Sequence, residues 1–240
     1  MQDILVAGRG RPYLDGDALD HSAPLVFTIP DALPANACKQ LIDRIEALGP
    51  TEAPVTTRRG PVMRPDIRNN HRVIFDDATL AAELFERVAS AIPQPLCGMR
   101  AIGANERFRC YRYTPGQRFA PHYDGAFVRD ERERSLLTLI VYLNEDFTGG
   151  RTAFLDFGLD AIPRTGTALL FQHHLLHEGC EVRSGTKYAL RTDVMYRADR
   201  DPRPSLHHRR PQERQRYPRQ RATGRPAARG ATRRGHRDRR

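Results

Sequence analysis

The 240-residue sequence predicts a mainly β fold with flanking helices, whose core is a double-stranded β-helix, a jelly roll of the cupin-like kind. Three observations predict it. Apolar residues recur with the helical period of 3.6 only before about residue 93. From about residue 106 the period changes to two, over six short runs. Between those runs lie turn residues, among them Thr114-Pro115-Gly116, Gly149-Gly150 and Ser184-Gly185. Short strands at this spacing, following helices, suit a two-sheet roll with a pocket between its sheets.

The first helix lies in "NACKQLIDRIEALGP", with Asn36 as N-cap, Leu41, Ile42, Ile45 and Leu48 on one face, and Gly49-Pro50 as its stop. The second lies in "DDATLAAELFERVASAIP", with Asp77 near the cap, a stripe of Leu80, Leu84 and Val88, and Pro93 at its end. Between them, residues 57–72 hold five arginines and two prolines without a period, and read as a loop, either a solvated connector or a lid facing substrate. The predicted strands are 107–113, 119–124, 135–143, 151–157, 166–172 and 187–196.

Charge divides the chain into parts. Residues 199–240 carry fifteen arginines against four acidic groups and have no apolar period, so a disordered tail is expected. The remainder is close to neutral, and the formal charge of +10 therefore resides in the tail. The expected organisation is an extension over 1–30, a domain over 31–198 with helical support at 31–93 and a roll at 105–198, and the tail. A membrane span would need about 18 consecutive apolar residues, and none occurs. With no secretory signal visible either, the expected location is cytoplasmic. Cys38, Cys97, Cys110 and Cys180 are widely spaced, without a CxxC pair, and are expected as free thiols.

The chemistry concentrates in "APHYDGAF", residues 120–127. Alternate side chains of a strand share a face, so His122 and Asp124 would point together from backbones about 7 Å apart. An imidazole and a carboxylate so placed can take two corners of one metal ion. A second histidine would complete a two-histidine, one-carboxylate triad, which leaves coordination positions open and favours non-haem Fe(II). "FQHHLLHEGCEV" offers His173, His174 and His177 for that place. Ten residues past His177 stands Lys187, in a run where Lys187, Ala189, Arg191 and Asp193 share one face. A cation facing inward needs an anion, either a neighbouring carboxylate or a dicarboxylate co-substrate.

Residues 107–197 resemble the catalytic domain of the prolyl 4-hydroxylase-like Fe(II)- and 2-oxoglutarate-dependent oxygenases. The resemblance is carried by "YRYTPGQRFAPHYDG", "LLTLIVYLNEDFTGGRTAF", "IPRTGTALLF" and "HEGCEVRSGTKYALRTDVMY", in order and at similar spacing. It implies that His122, Asp124 and His177 ligate Fe(2+), with His173 and His174 as bystanders. It further implies that Lys187 takes the distal carboxylate of 2-oxoglutarate, with Tyr142 and Tyr113 facing the same co-substrate. Arg191, on the Lys187 face, replaces or assists the lysine, and Arg151 stands where the family commonly has glutamate. The implied reaction uses O2, decarboxylates 2-oxoglutarate to succinate and CO2, and hydroxylates an unactivated C–H bond, with L-ascorbate keeping the iron reduced. Its implied substrate is a prolyl residue or a small metabolite.

Other functions remain open to the sequence. The arginine-rich tail could contact nucleic acid without sequence preference, on a non-catalytic roll or beside a nucleic-acid demethylating oxygenase. A zinc or manganese cupin-like hydrolase or isomerase would use the same triad but leave Lys187 and Tyr142 without a task.

Overall fold

A computed structural model describes residues 19–57 and 60–198. Residues 1–18 and the segment 199–240, together with the disorder and nucleic-acid contact expected of the latter, lie outside the described residues. The first half contains β1 (Val26–Ile29), α1 (Ala35–Ala47), β2 (Thr51–Glu52), β3 (Val55–Thr57), β4 (Gly60–Val62), β5 (His71–Asp76) and α2 (Ala78–Val88). There follow β6 (Arg100–Ala104), β7 (Arg107–Tyr113), β8 (Phe119–His122), β9 (Glu133–Tyr142), β10 (Thr148–Gly149) and β11 (Thr152–Phe154). The chain continues through β12 (Leu159–Ala161), β13 (Ala168–Gln172), β14 (His177–Gly179), β15 (Val182–Ser184) and β16 (Lys187–Arg197).

Both helices are amphipathic, and both cover one face of the larger sheet. In α1 the buried stripe is Cys38, Leu41 and Ile45. Ile42 only flanks it and Leu48 is exposed, because the helix rolls its face by a fraction of a turn from the expected one. The expected cap also shifts: Pro34 occupies the N-cap, with no side-chain hydrogen bond, and Asn36 lies inside the helix. Pro34 fits this place because its carbonyl accepts the Cys38 N–H at 3.1 Å, while its own missing donor costs nothing there. The start of α2 follows the sequence pattern, with the Asp77 side chain accepting from the Leu80 amide at 3.0 Å. Arg44 of α1 reaches the same carboxylate at 2.7 Å and ties the helices together.

The larger sheet has the order β1-β13-β9-β16-β7-β5-β2, with β6 also pairing β16. The smaller has the order β12-β11-β14-β8, and all of these pairings are antiparallel. Two sheets of this order form the jelly roll. Strands β1 and β5 lie in stretches read as an extension and a helical support, yet both are strands of the larger sheet. The segment read as loop starts at the last residue of β3, contains β4, which pairs with β3, and runs into β5. Strands of two or three residues are too short to show a period, which is why β2, β3, β4, β10, β14 and β15 leave no mark on the sequence pattern.

Alternation along the two longest strands separates core from site. In β9, Leu137, Leu139 and Val141 pack under the helices, and Leu190 and Val194 of β16 join them with Phe108 and Cys110 of β7. The opposite face of the same strands carries Thr138, Ile140 and Tyr142, and Lys187, Ala189, Arg191 and Asp193. That face looks toward the smaller sheet and lines a pocket between the two. None of the four cysteines forms a disulfide. Among the described residues no helix is long and apolar enough to cross a membrane.

Candidate metal centre

The smaller sheet brings two histidines side by side. His122 ends β8, His177 begins β14, and the two are partners in the antiparallel register, with ring centroids 4.3 Å apart. Asp124 reaches them by a different route from the one the spacing suggests. Strand β8 stops at His122, and beyond it the Asp124 amide donates to the His173 carbonyl at 3.2 Å. The carboxylate is thus placed by the irregular segment after the strand rather than within it. One ligand atom from each of His122, Asp124 and His177 lies within 4.8 Å of the others. The Asp124 oxygens stand 3.9 Å from His122 Nε2 and 3.6 Å from His177 Nε2.

Each ring is oriented by its other nitrogen. His122 Nδ1 lies 2.8 Å from the Ala120 carbonyl oxygen and His177 Nδ1 lies 2.9 Å from that of Leu175. A carbonyl accepts only, so both Nδ1 atoms carry the proton and both Nε2 lone pairs face Asp124. Burial and the neighbouring His177 lower the His122 pKa to about 4, and burial lowers that of His177 too. Phe119 stacks on His122 at 3.5 Å between centroids, while Phe171 packs against His177 at 4.5 Å. Two neutral imidazole nitrogens and one carboxylate converging in this way fit a divalent transition-metal ion of the Fe(II) kind.

The carboxylate has its own support, which the sequence analysis missed. Thr138 donates its hydroxyl to Asp124 Oδ2 at 2.7 Å, and Arg191 Nη2 lies 3.2 Å from the same oxygen. Behind Thr138, the buried ring of His173 bridges Thr138 Oγ1 at 2.9 Å and Ser135 Oγ at 2.7 Å. His173 is therefore no ligand; it steadies the group that steadies Asp124. Burial alone would raise the Asp124 carboxyl, but Arg191 and the three surrounding histidines hold it well below the usual carboxylate range. The signal was present in "SLLTLIVYL", where Thr138 is the one polar residue amid an apolar run and shares parity with Ile140 and Tyr142.

The two candidate cations differ sharply. Arg191 is already matched by Asp124 at 3.2 Å and Asp193 at 3.1 Å, and its guanidinium is held above its ordinary value despite burial. Lys187, 4% exposed, meets no carboxylate among the described residues. Its ammonium donates to the Gly150 carbonyl at 2.6 Å and sits over the rings of Tyr113 and Tyr142, 5.3 and 5.4 Å from their centroids. Burial pulls its pKa down to about 8. Gly150 permits this packing: its φ is +64°, and a Cβ there would stand 2.9 Å from Phe147 and 3.2 Å from Lys187 Cδ. The Tyr142 hydroxyl is engaged with Thr152 at 2.8 Å, whereas that of Tyr113 has no hydrogen-bond partner among the described residues. Arg151 binds Asp160 at 2.9 Å on the surface.

These burials fix the acid response of the metal-free protein. His122 and His173 have folded pKa values of about 4, below the value near 6.5 that an unfolded chain gives them. The unfolded state then binds more protons between those limits, so stability is present near pH 7 and is lost as the pH falls toward 4. Melting followed by circular dichroism should drop by several degrees across that window, and replacing His173 by glutamine should reduce the drop.

Residues 108–192 match the sequence model of the 2OG-Fe(II) oxygenase superfamily. A protein of Acanthamoeba polyphaga mimivirus assigned as a prolyl 4-hydroxylase is 27% identical over 143 residues, covering 51% of this chain and 56% of that one. The chain thus spans little more than half the length of that relative. Prolyl 4-hydroxylase 1 of Arabidopsis thaliana is 24% identical over 196 residues, covering 70% and 67%. The viral collagen prolyl hydroxylase of Paramecium bursaria chlorella virus-1, solved as its 2OG complex, shares the fold with a TM-score of 0.53 at 23% identity, over 74% of this chain and 98% of its own.

Proposed function

Residues 108–192 make up a domain of the 2OG-Fe(II) oxygenase superfamily, a family of oxidoreductases, and on that footing we propose that this protein hydroxylates an unactivated C–H bond at the expense of 2-oxoglutarate. The observation that carries the reading is a pairing within one pocket: a His122, Asp124, His177 cluster on one wall, and on the other a buried lysine with no carboxylate partner among the described residues. A hydrolytic zinc or manganese site would use the cluster and leave Lys187 unexplained.

His122 Nε2, His177 Nε2 and Asp124 would hold the iron. Iron with 2-oxoglutarate and O2 supplies the oxidising equivalent, converting 2-oxoglutarate to succinate and CO2 while one oxygen atom enters the substrate C–H bond. The chain's own residues supply position and charge. Thr138 and Arg191 bind Asp124 Oδ2 and steady the carboxylate between the two imidazoles. Lys187 receives the distal carboxylate of the co-substrate, and the Tyr113 hydroxyl, which has no protein partner among the described residues, adds a hydrogen bond from the same wall. Arg191, neutralised by two aspartates, stays with the metal ligand rather than the co-substrate. Phe119 and Phe171 keep water from the flanks of the two imidazoles. The substrate is a prolyl residue or a small metabolite, with ascorbate as the restoring reductant.

Anaerobic titration of the protein with Fe(II) and 2-oxoglutarate tests this directly. A visible metal-to-ligand charge-transfer band that requires both additions, followed by succinate formation on admission of O2, is the expected result. Absence of the band at saturating concentrations of both would overturn the reading.

A further inference from the structure

Beyond the pocket wall that carries Lys187, the same face of the larger sheet gathers more guanidinium groups than the described carboxylates neutralise. Tyr111 lies at their centre. Arg72 of β5 is its register partner, so the two side chains stand on one face. Arg109 lies two residues before Tyr111 on that face and is itself the register partner of Arg191. Arg68 completes the group from the segment ahead of β5, its guanidinium 4.7 Å from the Tyr111 ring and 4.4 Å from that of Phe119, and both rings line the metal pocket.

The counter-charges do not suffice. Asp193 serves Arg191 at 3.1 Å and Arg109 at 3.5 Å, and Asp124 is committed to Arg191 and the metal site. Arg72 has no carboxylate partner among the described residues, and burial together with the like charges of Arg68 and Arg109 depresses its pKa. Arg68 is 5% exposed and binds Asn70 at 2.7 Å through Nε, yet its Nη2 is buried without any hydrogen-bond partner among the described residues. A buried donor left open is costly, and a cation among cations costs more, so such an arrangement is relieved by an anionic ligand. Several exposed arginines of this fold are by contrast paired, as Arg107 is with Asp76 and Arg64 with Asp66.

We infer that Arg72, with Arg68 and Arg109 beside it, is the subsite for a carboxylate carried by the substrate, holding an acidic molecule across Tyr111 so that its reacting C–H bond faces the metal centre. The inference rests on the oxygenase reading for the orientation of the substrate, and the anion site itself stands on the arginines. A guanidinium fork matches a carboxylate in two parallel hydrogen bonds, which gives the site direction as well as charge. The carboxylate belongs either to an acidic side chain of a peptide or to a small organic acid.

Calorimetric binding to the full-length, metal-free protein, with 2-oxoglutarate in excess to fill the Lys187 site, separates these sources without turnover. The probes are octapeptides carrying Glu or Gln at a single position, glutarate and N-acetylglutamate with their amides, and an eight-nucleotide oligothymidylate. We expect at least tenfold tighter binding of the acid than of its amide in one of the first two groups, with that preference abolished by Arg72→Gln and partly kept by Arg72→Lys. Preference confined to peptides assigns a peptide substrate; preference among the small acids assigns a metabolite. Arg72→Gln should also melt no lower than the wild type without ligand, because it removes an uncompensated charge. Equal binding of acid and amide, tight binding of the oligonucleotide alone, or a preference that survives Arg72→Gln would each overturn the inference. Since no iron is present, these outcomes are independent of the charge-transfer test.

Discussion

Replacing His177 by alanine is expected to weaken iron binding by about 10²–10³-fold and to abolish the charge-transfer band at metal concentrations that saturate the wild type. Structural zinc sites with four ligands bind with about 10–16 kcal/mol, which is about 2.5–4 kcal/mol per ligand and accounts for that loss. His177 is placed to matter this much because its ring is held from both sides, by the Leu175 carbonyl on Nδ1 and by Phe171 against its face. The alanine variant also leaves a hole between Phe154 and Phe171, so a lower melting temperature accompanies the loss of metal. His177→Gln fills that hole and should restore the melting temperature without restoring the band. Iron binding of wild-type strength in the glutamine variant, measured by anaerobic equilibrium dialysis, would refute the ligand assignment.

Replacing Lys187 by alanine should act on the co-substrate and spare the metal. Loss of one partner from a desolvated charge pair costs about 2–5 kcal/mol, so 2-oxoglutarate binding should weaken by about 10²-fold or more at pH 7. Iron binding measured without 2-oxoglutarate should be unchanged. The pH dependence gives a second signature. With a pKa lowered to about 8 by burial, Lys187 loses its proton above that pH in the empty pocket. Wild-type affinity for 2-oxoglutarate should therefore fall about tenfold per pH unit above 8. The same depressed pKa means that the empty protein gains stability as the pH rises from 8 toward 10, where the unfolded lysine still holds its proton. Lys187→Met should erase both trends and raise the melting temperature of the empty protein. A variant that binds 2-oxoglutarate as the wild type does would move the anchor elsewhere on the pocket wall.

Arg191 illustrates how far the sequence could be read. Its parity with Lys187 in "KYALRTDVMY" put both cations on the inner face, and both are there. Which of the two met an anion of the protein could not be known from spacing, since Asp124 comes from the irregular segment after β8 and Asp193 from the same strand. His173 is the converse case. It reads as one of three equivalent histidines in a short run, and only the register of β13 against β9 turns its ring toward Thr138 and Ser135.

By itself the sequence determined the period change that makes a roll behind two helices, the inner face of β16, and the set of residue types able to hold a metal beside a buried cation. Those features are local, because side-chain direction in a strand or helix follows from residue number alone. The tertiary structure decided what depends on contacts between distant segments. These are the segment after β8 that places Asp124, the clamp on its Oδ2, the placement of Lys187 away from every carboxylate among the described residues, and the guanidinium cluster around Tyr111, to which β5, β7 and the segment before β5 all contribute. No pattern along one strand encodes such a balance of charge, since it is set by which groups share a low-dielectric space after the sheets have closed.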